Sequence, residues 1–264
     1  NHVILIRNAV TVGFVERRPI KLAYWFLLYL ATMVSLLSCR RAIAVSIYAK
    51  SGIKRAFWSV LGGQLEVVPH GVDQIYLNTN EPTQRDSFLL SVSDIYVQKN
   101  FTGLVNSLSI LRESIPDIRL KVGGSPVDEE YFLELEKLIE LKNLGDHIEF
   151  LGHVAPPELK LLYQTCRIFV FPSTVETFGN PLVEAMACGA PIASSNTAAM
   201  PEVLGEAAAY FNPNDVTDMT RVLLRLYNDP KERLYLQEES KKRATRYIWE
   251  ETKRKTVDII RSCV

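Results

Sequence analysis

Between residues 88 and 194 short apolar runs alternate with helix-length stretches, and that order leaves few folds open. The runs are Phe88–Val92, Ile118–Val122, Ile148–Leu151, Ile168–Phe171 and Pro191–Ser194, and the helical patterns between them cover Phe101–Ser114, Asp128–Lys142, Pro157–Thr165 and the segment that follows Asn180. Ile168-Phe-Val-Phe171 has no polar alternation, so it reads as a parallel strand covered on both faces. The whole predicts an α/β chain with a doubly wound parallel, Rossmann-like sheet. In such sheets ligands bind beyond the carboxyl ends of the strands, which is where Lys99, Gly123, Gly124, His153 and Glu176 fall.

The segment after Ile168–Phe171 carries the chemistry. Glu176-Thr-Phe-Gly-Asn-Pro-Leu-Val-Glu184 places two carboxylates around a glycine and a helix start, and Ala185-Met-Ala-Cys-Gly-Ala-Pro191 follows at once. Asn180 reads as the N-cap, Pro181 as the first helical residue and Gly189 as the stop. Free amides at Asn180, Leu182 and Val183 would then make an anion seat, with Gly179 admitting a ligand to the backbone. Carboxylates repel phosphate but accept hydrogen bonds from vicinal hydroxyls, so Glu176 and Glu184 are expected to hold sugars at the two ends of a diphosphate. The plainer alternative is that Glu184 complements the helix dipole and Glu176 is a solvated loop residue.

With these residues the chain resembles the retaining glycosyltransferases of family 4, which have the GT-B fold. Their Glu-x7-Glu signature corresponds to Glu176 and Glu184, and Leu151-Gly-His-Val154, Pro201-Glu-Val-Leu-Gly205, Tyr247-Ile-Trp249 and Pro69-His-Gly-Val-Asp73 match further segments, the last with His70 where Asn is usual. The resemblance runs from about Ala42 to the C-terminus. It implies transfer of a hexose, with retention, from a UDP-, GDP- or ADP-sugar to an acceptor hydroxyl of a cell-envelope polysaccharide or glycolipid, with no cofactor and no metal. It also implies Lys99 and Glu176 as catalytic groups. Donor contacts would come from Ser93, Lys99, Gly124, His153, Glu176, Phe178, Gly179, Asn180, Leu182 and Glu184. Family members usually place an arginine ahead of the lysine, and here Asp94 stands there. The family's N-terminal histidine also lacks a match, and its role stays open at Arg7 or Asn8.

Three domains are expected: 1–70 as an incomplete N-terminal acceptor-side domain, 71–245 as the nucleotide-sugar domain, and 246–264 as a helix returning toward the first. The first part offers strands at His2–Ile6, Ala42–Ser46 and Leu65–Val68, with a helix over Pro19–Ser38. Three strands cannot cover both faces of a parallel layer, which marks this part as the rear of a larger domain. Residues 22–38 carry no charge, a length barely able to span a bilayer. A crossover helix, an interfacial helix touching lipid and a true span all remain open there, and a lipid-linked acceptor would suit the second.

Thirty basic and thirty acidic residues give no bulk attraction for nucleic acid. Four scattered cysteines make neither a metal motif nor a disulfide framework, which points to a reducing, cytoplasmic setting, including the inner face of the membrane. No Asp-x-Asp pair or histidine cluster offers a metal site. Two rivals to a transferase are a glycoside hydrolase built on the two carboxylates and a nucleotide-sugar-binding chain without turnover.

Overall fold

The computed structural model describes residues 2–6, 19–57, 65–77 and 85–263. Among them the strands form two parallel sheets. The smaller has the order β1 (Val3–Ile6), β2 (Arg41–Ala44), β3 (Leu65–Val67). The larger, which follows the short helix α3 (Gln74–Leu77), has the order β6 (Ile148–Gly152), β5 (Arg119–Gly123), β4 (Phe88–Val92), β7 (Ile168–Phe171), β8 (Ile192–Ser195), β9 (Ala208–Phe211). The chain builds outward from β4 to β6, then returns to place β7 on the other side of β4. The strand order therefore reverses between β4 and β7, and a crevice opens beyond their carboxyl ends.

The central strands are apolar because both faces are covered. Leu89 and Val170 face one side, with Phe101, Leu104 and Leu108 of α4 (Phe101–Ser114), Leu135 of α5 (Glu129–Leu141) and Met219 and Val222 of α9 (Val216–Asn228). Their neighbours Leu90 and Phe169 face the other, with Tyr163 of α6 (Pro156–Thr165) and Leu182 and Met186 of α7 (Asn180–Ala187). Successive residues thus feed opposite layers. Each such side chain contributes about 1.5–3 kcal/mol when fully buried.

α1 (Pro19–Ser38) joins the adjacent parallel strands β1 and β2, so it is a crossover helix. Tyr29, Met33 and Leu36 recur at helical spacing and pack inward, with Tyr29 stacked on Phe57 at 4.6 Å. Its other face leaves Tyr24, Leu27, Val34 and Leu37 at least 60% exposed. Among the described residues no helix is long and apolar enough to cross a membrane.

β2 stops at Ala44, short of the expected Ser46, because Ser46 caps α2 (Ile47–Ala56) by accepting from the Ala49 amide at 2.9 Å. Beyond β8, α8 (Met200–Leu204), β9, α9 and α10 (Pro230–Ala244) complete the larger sheet and its cover, with Asp229 and Pro230 starting α10 as cap and first residue. α11 (Trp249–Arg261) then crosses back to the smaller sheet. The Val72 amide donates to the Tyr247 carbonyl at 2.8 Å, the Thr252 hydroxyl to the Pro69 carbonyl at 2.8 Å, and Arg40 to the Cys263 carbonyl at 2.5 Å. At this crossing a Cβ on Gly71 would lie 2.4 Å from the Trp249 nitrogen, so only glycine fits.

Candidate functional site

The rim beyond β4, β5 and β6 is sewn together by backbone. Ser93 donates to the Gly123 carbonyl at 2.9 Å, Ile95 to that of Ser125 at 2.8 Å, and Gly124 to that of Gly152 at 2.7 Å. Gly124 has φ 137°, and a Cβ there would stand 2.1 Å from the Ser93 carbonyl oxygen. No other residue permits this approach. Asp94, at the position where the resemblance implies an arginine, accepts from the Ser125 amide at 3.1 Å and braces the rim.

Across the switch point the loops after β4 and β7 are tied directly. Thr174 gives both its amide (2.9 Å) and its hydroxyl (3.1 Å) to the Gln98 carbonyl, and the Asn100 side chain donates to the Pro172 and Pro213 carbonyls. Lys99 ends the 3-10 turn Val97–Lys99, and its Nζ meets Glu176 Oε2 at 2.6 Å. Their side chains are 9% and 18% exposed. Glu176 is therefore no solvated loop residue. Burial alone would depress the Lys99 ammonium, but the Glu176 carboxylate and the Tyr96 hydroxyl override it and hold the group above the usual lysine value. The rings of Tyr96 and Phe171 lie 5.3 and 5.6 Å from Nζ. A buried, charged ammonium held by one carboxylate is well suited to meet an arriving polyanion.

α7 begins beside this pair. Gly179, at φ 83°, is its N-cap, and no side chain caps the helix. That corrects the reading of Asn180 as the cap by one residue. The αL turn at Gly179 starts the helix early, and Asn180 Oδ1 turns instead to His70 Nδ1 at 3.1 Å. The Leu182 amide is not free either, since it donates to the Gly179 carbonyl at 3.0 Å. A Cβ on Gly179 would lie 3.3 Å from Glu176 Cγ, so the glycine keeps the helix start open to the carboxylate's neighbourhood.

Lys99, Glu176 and Gly179 thus form one cluster, while Ser93, Gly124 and the Gly152-His153 turn form the adjoining rim. His153 is exposed. Phe178 is buried, packed against His70 at 5.3 Å and Tyr247 at 5.6 Å, and Leu182 lies in the core. Glu184 points along α7 toward α6, where it accepts from the Tyr163 hydroxyl at 3.1 Å. Burial raises its carboxyl above the usual range; the Tyr163 bond opposes this and the Asp73 charge adds to it. Arg7 and Asn8 lie outside the described residues. Among the described residues no group of three His, Cys, Asp or Glu side chains could hold a metal ion.

A parallel doubly wound domain with a cation, a carboxylate and a glycine-opened helix start at its switch point, joined to a second parallel sheet, has the GT-B architecture. Solved structures of that architecture superpose closely: Anabaena Alr3699/HepE in complex with UDP and glucose at TM-score 0.84 and 17% identity, covering 98% of this chain and 71% of that one, and sucrose-phosphate synthase from Thermosynechococcus elongatus at 0.81 and 20%, covering 99% and 67%. The chain belongs to the glycosyl transferases group 1 family, whose sequence pattern matches residues 72–243. It is 31% identical over 195 residues to the serotype-specific mannosyltransferase WbdA of Escherichia coli, and 31% identical over 206 residues to the MMP alpha-(1->4)-mannosyltransferase of Mycolicibacterium hassiacum. Those matches cover 74% and 76% of this chain, and the chain spans 24% and 49% of the two relatives' lengths.

Proposed function

We propose that this chain binds a nucleoside diphosphate sugar and serves transfer of its hexose to an acceptor hydroxyl, with retention and without a metal. The observation that carries the reading is the buried Lys99–Glu176 pair at the switch point between β4 and β7, beside the start of α7. On this reading the donor diphosphate takes Lys99 from Glu176, and the freed carboxylate accepts from a hydroxyl of the transferred hexose. As the bond between the anomeric carbon and the diphosphate breaks, its electron pair leaves with the diphosphate, the acceptor oxygen bonds to that carbon, and the acceptor's hydroxyl proton passes to the departing diphosphate. Lys99 then stabilises charge that grows in the transition state. Glu184 holds the ribose hydroxyls at the other end. The mannosyltransferase relatives make mannose the first hexose to test, with a polysaccharide or glycolipid acceptor.

A nucleoside diphosphate should raise the melting temperature more than the matching monophosphate, in a panel covering uridine, guanosine and adenosine nucleotides with and without sugars. Equal shifts for the two would remove the diphosphate seat. Release of free sugar without nucleotide from any donor would favour a glycosidase instead. The second reading is binding of a nucleotide sugar without turnover, and donor binding with no transfer to any acceptor in a screen would favour it.

The apolar outer face of α1 suits peripheral contact with lipid at residues 22–38, beside a lipid-linked acceptor. Tyr24, Leu27, Val34 and Leu37 share it, with the exposed Arg40 just beyond its carboxyl end. Co-sedimentation with anionic vesicles should fall for Leu27→Ser/Val34→Ser. Equal sedimentation of wild type and variant would exclude the contact.

A further inference from the structure

We infer that Glu202 is a positioning residue that clasps the two sheets' carboxyl edges together across the cleft, an inference that rests on the transferase reading above. α2 follows β2, so its first turn lies at the carboxyl edge of the smaller sheet; Glu202 sits on α8, beyond the carboxyl end of β8 in the larger one. A helix cannot satisfy its own first amides. In α2 the Ala49 amide is taken by Ser46 Oγ, and the two amides before it go to a single side chain beyond the larger sheet. Glu202 Oε1 accepts from the Ile47 amide at 2.7 Å and Oε2 from the Tyr48 amide at 2.9 Å.

This is a charge-assisted, two-point contact at the positive end of a helix, made between residues 154 and 155 positions apart. The carboxylate stands on a fixed bracket. Pro201 stiffens the start of α8, and Arg243 of α10 donates to the carbonyls of Glu202 and Val203. The same segment reaches the donor site: the Ala199 amide donates to the Glu176 carbonyl at 3.3 Å, and the Thr197 hydroxyl to the Thr174 carbonyl at 3.0 Å. One short stretch, residues 197–202, therefore holds the backbone of Glu176 with one end and the acceptor-side sheet with the other. Glu202 touches no reacting atom on this account. It sets where the acceptor wall stands relative to the donor.

Two variants test the clasp from opposite sides. Glu202→Gln removes the charge and leaves one side-chain oxygen for two amides. Ile47→Pro deletes one of those amides at the first helical position, where proline is tolerated, after a Ser46 already extended at φ −155° and ψ 165°. Each should lower kcat about tenfold, the scale of losing a charge-assisted hydrogen bond, while nucleoside diphosphate affinity stays at the wild-type value. The double variant should be no worse than the poorer single one. Hydrogen exchange at the Tyr48 amide should quicken about tenfold in Glu202→Gln, a readout that needs no turnover. Unchanged exchange at Tyr48, multiplying losses in the double variant, or nucleotide affinity falling in step with kcat would each overturn the clasp. Absence of transfer by the wild-type protein would overturn the transferase reading instead, and exchange at Tyr48 would still decide the contact.

Discussion

Lys99→Ala should lower hexose transfer by about a hundredfold or more, the scale of losing one donor aimed at developing charge. The expectation follows from what the site lacks as much as from what it holds. Asp94 stands where the resemblance implies an arginine, and it is committed to the Ser125 amide. The Leu182 amide is committed to Gly179. That leaves the Lys99 ammonium as the main charge the proposed mechanism can set against the leaving diphosphate. The variant should remain folded, because the Glu176 carboxylate it orphans is 18% exposed and can turn to solvent. Steady-state rates with saturating donor, with and without EDTA, check the claim. Near-normal turnover by Lys99→Ala would assign the diphosphate to another group, and loss of wild-type activity on chelation, restored by magnesium, would assign it to a metal.

The second large effect separates the two glutamates. Glu184→Ala should weaken binding of the bare nucleoside diphosphate about tenfold or more, since a carboxylate that accepts from two hydroxyls is lost. Glu176→Ala should bind the bare nucleotide at least as well as wild type, because Lys99 no longer has to be taken from a carboxylate 2.6 Å away, yet it should lose affinity for the sugar-bearing donor. Its ligand-free form should also melt earlier, having left a buried ammonium unpaired. Calorimetric titration with nucleotide and nucleotide sugar reads both differences, and equal loss of bare nucleotide in the two variants would sink the division of roles.

Glu184 adds a pH signature. Burial raises its folded-state value above that of the unfolded chain, so the native state binds the extra proton and stability falls as pH rises through that window. Glu184→Gln should therefore gain melting temperature at neutral pH and none below the ordinary glutamate range.

The larger sheet was legible because a parallel strand buried on both faces must be apolar at every position, and Ile168–Phe171 is. β9 and α2 carry no such signal, for the opposite reason. Ala208-Ala-Tyr-Phe211 is an edge strand that opens on two alanines and leaves Tyr210 half-buried, and α2 buries only Ala49 and Ile53. The glycines and glutamates of the site announced a ligand, but the helix start was displaced by one residue, since Asn is a better cap by type than Gly and only the φ of 83° at Gly179 decides between them. Pairings between distant loops left no trace in the sequence. Lys99 and Glu176 are 77 positions apart, and Glu202 and Ile47 are 155 apart, and both contacts depend on the order in which strands enter the sheets. A hydrogen bond of that span has no periodicity to read.

A crystal structure with a nucleoside diphosphate bound tests the central claim most directly. The account predicts a diphosphate oxygen about 2.7–2.9 Å from Lys99 Nζ, with the Glu176 carboxylate turned away from it and Glu184 at the ribose. A diphosphate bound elsewhere, with the 2.6 Å contact between Lys99 and Glu176 intact, would contradict it.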